Sequence, residues 1–152
     1  MLGDNASTVT RPPVSDCSRK LDIDAVAEGG AIFFACEADD AGPPSPARLV
    51  PGISVDEAVR AVLTGPSAKE RAAGFSGMDG ASPQSLEVDS AWFGRTIVVN
   101  IRSADPNVRF FVTQTYDGYK QLATTIASVS GAEKVSLLFN NRVMCVIRQG
   151  CA

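Results

Sequence analysis

Histidine is absent from the sequence. Ser-His-Asp and Cys-His mechanisms in their usual form are therefore excluded, and so is the commonest transition-metal ligand. No pair of cysteines is spaced C-x-x-C, so neither a zinc ribbon nor a thioredoxin-type redox pair is suggested. No apolar run approaches the roughly 20 residues that a spanning helix needs. Basic residues form no block, and the net charge over the 152 residues is −3. Phosphate backbones and anionic lipid surfaces are recognised by clustered Lys and Arg, so neither nucleic acid nor a membrane surface is an expected partner.

What is present suits one folded unit of ordinary globular composition, long enough to bury a real core. Residues 1–20 are rich in Ser, Thr, Pro and Asp and read as a flexible N-terminal arm, with a single domain over 21–152. The opening "MLGDNASTVTRPP" is polar almost from its first residue and does not read as a signal peptide. Export, or a membrane anchor, would depend on a segment outside this chain. The four cysteines are Cys17, Cys36, Cys145 and Cys151. An even count of scattered cysteines fits two disulfides and an oxidising compartment; buried free thiols are the competing reading. Sequence proximity favours Cys17 with Cys36 and Cys145 with Cys151.

Along the chain, "LDIDAVA" reads as a short helix or irregular lead-in, and "AIFFAC" after Gly-Gly as a strand buried on both faces, Ala31–Cys36. Pro43, Pro44 and Pro46 argue against a regular ladder in the next segment, leaving "RLVPG" as a brief edge strand. In "SVDEAVRAVLTGPSAKERAAGF", Ser54 and Glu57 form a capping box, the apolar residues recur at helical spacing, and Gly65-Pro66 stops the helix. Ser67 and Glu70 repeat the box for a short second helix, closed by Gly74. "SLEVDSAW" and "TIVVNIR" alternate as the strands of a hairpin turned at "FGR". "NVRFFVT" reads equally as a strand or as an apolar lead into a helix over about Tyr119–Val129, which Gly131 ends. "EKVSLLFNNRVMCVIR" is a closing hairpin, with Asn140-Asn141 tolerating positive φ in its turn. The order implies an α/β (α+β) sandwich, with a mixed or mainly antiparallel sheet and helices mainly on one face.

Candidate chemistry is thin. "GPSAKERAAGFSG" follows a helix, and Pro66 has no N–H to offer a phosphate. Glu37, Asp39 and Asp40 lack the spacing of a Ca²⁺ loop and read as a solvated turn. Glu87 and Asp89 share a strand face, but alternating charge on an outer face accounts for them without a substrate. Trp92, Tyr116 and Tyr119 are the candidate binding surface, the two tyrosines flanking Asp117-Gly118 in an expected loop.

The stretch from Leu63 through Gly65, Pro66 and Glu70 to Gly74 resembles the GerMN domain, the sporulation and spore-germination module. The likeness runs on through "SLEVDSAWFGRTIVVNI", "QLATTIASV" and "GAEKVSLLFNNRV", and covers about Ala31–Ile147. Two positions depart from the family pattern: Asn100 stands where an aspartate is common, and Asn140-Asn141 where the closing turn usually has glycine after an acidic residue. The resemblance implies a non-catalytic binding or assembly module of exported or envelope-anchored bacterial proteins, including actinobacterial lipoproteins. It implies no cofactor and no catalytic residue. Expected partners are a protein or a cell-envelope polymer, with a homo-oligomer as one form of assembly. The competing expectation is a small-ligand carrier or sensor with an apolar pocket between sheet and helices.

Overall fold

The computed structural model describes residue 17 and residues 29–37, 43–78 and 86–144. The expected lead-in at residues 21–27, most of the N-terminal arm, Asp39, Asp40, Cys145 and Cys151 lie outside the described residues.

The apolar run after Gly30 is strand β1 (Ala31–Cys36), with Ala31, Ile32, Phe34 and Cys36 buried. It is the middle strand of a three-stranded antiparallel sheet, between β2 (Ser45–Leu49) and β3 (Phe75–Ser76). β2 begins earlier than the prolines suggest. Pro46 lies opposite Phe33, at the register irregularity between Ile32 and Phe33. An edge strand at a bulge accommodates a residue without an N–H.

Two helices separate β2 from β3. Helix α1 (Val55–Thr64) carries the Ser54/Glu57 capping box and buries Ala58, Val59, Val62 and Leu63. Gly65 ends it at φ 91°, with its N–H returned to Ala61 and Val62. Helix α2 (Ala68–Ala72) restarts at once on the Ser67/Glu70 box.

The second sheet is mixed, in the order β4-β5-β6-β7. β4 (Glu87–Phe93) and β5 (Thr96–Arg102) are the expected hairpin, paired along their full length. β6 (Lys134–Phe139) lies parallel to β5, and β7 (Arg142–Val143) returns antiparallel after a turn in which Asn140 and Asn141 both have positive φ. Between β5 and β6 come α3 (Pro106–Gln114) and α4 (Tyr116–Ser130). "NVRFFVT" is thus helical, opened by the Asp105 cap and Pro106 in the first turn. The expected loop at Asp117-Gly118 is the first turn of α4. Thr115 ends α3 by donating its hydroxyl to the Phe111 carbonyl (2.6 Å) and caps α4 by accepting from the Gly118 N–H (3.0 Å). A Cβ at residue 118 would stand 2.1 Å from the Phe111 carbonyl oxygen, so this glycine reflects close approach of two helices and not a turn.

The class is α+β, with helices gathered on the apolar face that holds Ile97, Val99, Ile101, Leu137 and Phe139. The strands divide into two sheets where one was expected. Along β1, β3 pairs only with Ala35 and Cys36. Ahead of that pairing, the Ala31 and Phe33 N–H groups donate to Ser128 Oγ and Thr125 Oγ1 of α4, both at 2.9 Å. Side-chain hydroxyls at i and i+3 of a buried helix thus replace a neighbouring strand. α4 touches β1, β6, α1 and α3, and so joins the two sheets. Cys17 is buried and forms a disulfide with Cys36, while its N–H donates to the Ala73 carbonyl at 2.8 Å. Among the described residues no helix is long and apolar enough to cross a membrane.

Candidate functional site

The β4–β5 hairpin stands out because β4 buries so little. Val88 is half-buried and every other residue of the strand is exposed. β4 needs β5 for its ladder, and β5 is anchored by Ile97, Val99 and Ile101, each 1% exposed or less. A rigid inner strand therefore carries a wet outer one. Among the described residues β4 has a strand neighbour on one side only, so seven residues present a free edge. Its sequence, EVDSAWF, has no proline, and its charges, Glu87 and Asp89, lie toward the end away from Trp92 and Phe93.

Trp92 lies opposite Ile97, and Phe93 opposite Thr96, beside the two-residue turn at Gly94-Arg95. They are 52% and 67% exposed. Successive strand residues point to opposite faces, so the hairpin tip shows one aromatic ring on each side. Gly94 takes φ 64° in this turn. Arg95 reaches the Glu133 carboxylate at 2.5 Å, and the Glu133 N–H donates to the Arg95 carbonyl at 3.0 Å. The tip is thereby tied to the start of β6.

The carboxylates on the same hairpin are committed to one cation. Arg102 donates to Glu87 Oε1 at 2.8 Å and meets Asp89 Oδ2 at 2.5 Å. Glu87 is directly opposite Arg102 in the ladder, and Asp89 shares its face two residues on. The pattern i, i+2 against an arginine is a cross-strand charge triad on an outer face.

The candidate aromatics do not converge. Trp92 is on the exposed hairpin, whereas Tyr119 is partly buried in α4 and packed against the core. The Tyr116 side chain lies outside what is described, although its backbone opens α4. The exposed ring that the sequence reading undervalued is Phe93. Its signal was its place beside the "GR" turn, at the end of the hairpin and opposite Thr96, the first residue of β5. Phe110, 62% exposed on α3, is a second such ring.

The space between α4, α1 and β1 is filled by Leu122, Ile126, Val59, Leu63 and Phe34. An open cavity of about 580 Å³ lies elsewhere, between α3 and the β6–β7 turn. Among the described residues no group of three or more Cys, Asp or Glu is placed to hold a metal ion.

Asn100 of β5 and the Asn140-Asn141 turn meet in space. Asn100 Nδ2 donates to Asn141 Oδ1 at 2.7 Å, and the Asn141 N–H donates to Asn100 Oδ1 at 3.1 Å. Residue 100 thus holds the β6–β7 turn against β5 through an acceptor oxygen, a role that needs no charge. No protein-family model, curated protein or solved structure matches the chain.

Proposed function

We propose that this chain is a non-catalytic, GerMN-like binding or assembly module, exported or held at the cell envelope, which engages a protein or envelope polymer through the β4–β5 hairpin. The observation that carries this reading is the edge of β4, seven residues without a second strand neighbour among the described residues, with Trp92 and Phe93 exposed at its end. A free edge offers main-chain hydrogen bonds to an added strand, and flanking aromatic rings supply the apolar area that makes such a contact specific. The Arg102 triad supports a binding role over a carboxylate-catalysed one, because both carboxylates accept from the same guanidinium. The Cys17–Cys36 disulfide is compatible with an oxidising compartment.

The test compares the wild-type chain with a Trp92→Ala/Phe93→Ala variant. Light scattering reads self-association, and co-sedimentation with purified cell-wall polymer and capture from envelope extract read the other partners. The reading expects wild type to oligomerise or be retained, and the variant to lose that property with its thermal midpoint unchanged. A wild-type chain that stays monomeric and unretained, or a variant that oligomerises or is retained as well as wild type, would overturn the reading.

A further inference from the structure

The arginines of the described residues fall into two groups. Arg48, Arg60, Arg95 and Arg102 each pair with a carboxylate, and Arg71 donates to the Met78 carbonyl. Arg109 and Arg142 have no ion pair among the described residues, and both line the cavity between α3 and the β6–β7 turn. In a chain of net charge −3, two unpaired guanidinium groups on one groove are a local reversal of sign. Among the described residues no Asp or Glu lines it; Thr113, Gln114 and Asn140 add neutral polar groups, and Phe139, Val143 and Met144 an apolar side.

The walls are fixed by short-range bonds that converge on Ser103. Its backbone N–H donates to Asn140 Oδ1 (3.0 Å) and its carbonyl accepts from Asn140 Nδ2 (3.2 Å), while its hydroxyl accepts from the Asp105 N–H (3.1 Å). Asn140 begins the turn that presents Arg142, and Asp105 caps the helix that presents Arg109. One residue therefore sets both walls. Bonding at the wall bases leaves less of the groove to be ordered by a ligand.

We infer that this groove is a binding site for an oxyanion, a carboxylate or a phosphate, carried on a small ligand with a short apolar flank. Arg109 and Arg142 take the oxyanion from the two walls, since guanidinium forks match the geometry of both groups. Gln114 offers a further amide donor, and Val143 and Met144 meet the apolar flank. The cavity volume lies in the ordinary range for small-molecule sites. The site is separate from the β4–β5 hairpin, so either can fail without the other.

The test is an NMR titration of the whole chain, disulfide intact, with two probes: inorganic phosphate and N-acetylvaline. The site predicts saturable shifts confined to the amides of residues 109–114 and 139–144. Saturation by phosphate alone assigns the site to phosphate bearers, and saturation by N-acetylvaline alone to carboxylate bearers; either supports it. Arg109→Gln and Arg142→Gln should each weaken binding by about tenfold or more, the ordinary worth of a charge-assisted hydrogen bond. Lys69→Gln removes an exposed cation of α2, away from the groove and the hairpin, and should leave binding unchanged. Both groove arginines are exposed, so the variants are expected to fold, and an unchanged thermal midpoint checks it. No saturable shift with either probe, equal loss in Lys69→Gln, or wild-type binding by the double groove variant would overturn the proposal.

Discussion

Glu70 shows how much one side chain can hold. Its Oε1 accepts from the Ser67 N–H at 2.9 Å to complete the α2 capping box. The same carboxylate takes a two-pronged hydrogen bond from Arg48 of β2, at 2.8 and 2.6 Å, and Arg48 also lies 5.7 Å from the centre of the Phe34 ring. Burial alone would raise the pKa of Glu70; the bonds from Arg48 and Ser67, together with the Arg48 charge, outweigh it and leave it below its ordinary value. A lowered folded pKa contributes stability that is whole above the unfolded value, about 4.3, and is lost as pH falls through the folded one. Glu70→Gln is therefore expected to cost about 1–2 kcal/mol near neutrality, the figure reduced for the exposure of Arg48. The gap to wild type should close in acid. Urea midpoints of both proteins across a pH series read this directly, and a gap that stays constant down to low pH would contradict it. Gly65 makes a second residue-level case. Its φ is 91°, and a Cβ there would stand 2.2 Å from the Met78 carbonyl oxygen, a backbone atom that cannot swing aside. Gly65→Ala should destabilise by about 3 kcal/mol in the same assay, since strain and collision add.

Elements whose pattern was local were legible in the sequence; those defined by a distant partner were not. The α1–α2 stop and restart, the β4–β5 hairpin and the Asn140-Asn141 turn follow from caps, alternation and turn residues within a few positions. The start of α4 was hidden, because Asp-Gly is a turn signal and the Thr115 cap needs the close approach of α3 to make sense of Gly118. Nor could sequence spacing place β6 parallel to β5 across two helices. The groove was out of reach for the same reason: Arg109 and Arg142 are far apart in the chain and line one cavity only once α3 and the β6–β7 turn are brought together. The least legible feature is the seam between the sheets. Gln121, Thr125 and Ser128 look like a polar helix face, yet Gln121 and Thr125 are buried, and Thr125 and Ser128 accept β1 backbone N–H groups. Thr125→Val keeps the shape and removes the acceptor, leaving the Phe33 N–H without its partner. The expected loss is about 1–3 kcal/mol, the cost of an unsatisfied buried donor. It should come with faster hydrogen exchange at the Phe33 amide, while amides of the β4–β5 ladder keep their rates at matched global stability. An unchanged Phe33 rate would mean that the hydroxyl does not hold this edge.

At the scale of the molecule, the question is what keeps the first sheet closed, since β3 has two residues and pairs with only the last two of β1. Three contacts meet at that corner. The Cys17–Cys36 disulfide joins residue 17 to the end of β1, the Cys17 N–H donates to the Ala73 carbonyl at 2.8 Å, and the Glu37 N–H donates to the Gly74 carbonyl at 2.9 Å. The disulfide thus links the N-terminal segment, the middle strand and the turn after α2, which local pairing leaves weakly held. It closes a loop of sequence separation 19, for which the chain-entropy account gives about 3 kcal/mol. A Cys17→Ala/Cys36→Ala variant should lose about that much in urea unfolding. Reductant should lower the wild-type midpoint and leave the variant's shift smaller by the contribution of this bond. Peptide mapping after alkylation without reductant checks the linkage: peptides carrying Cys17 and Cys36 should remain joined and unalkylated, and the same digest reads the state of Cys145 and Cys151. If the double variant matched wild type in stability, the corner would be closed by its backbone hydrogen bonds alone. The first sheet would then hold equally well with the disulfide reduced.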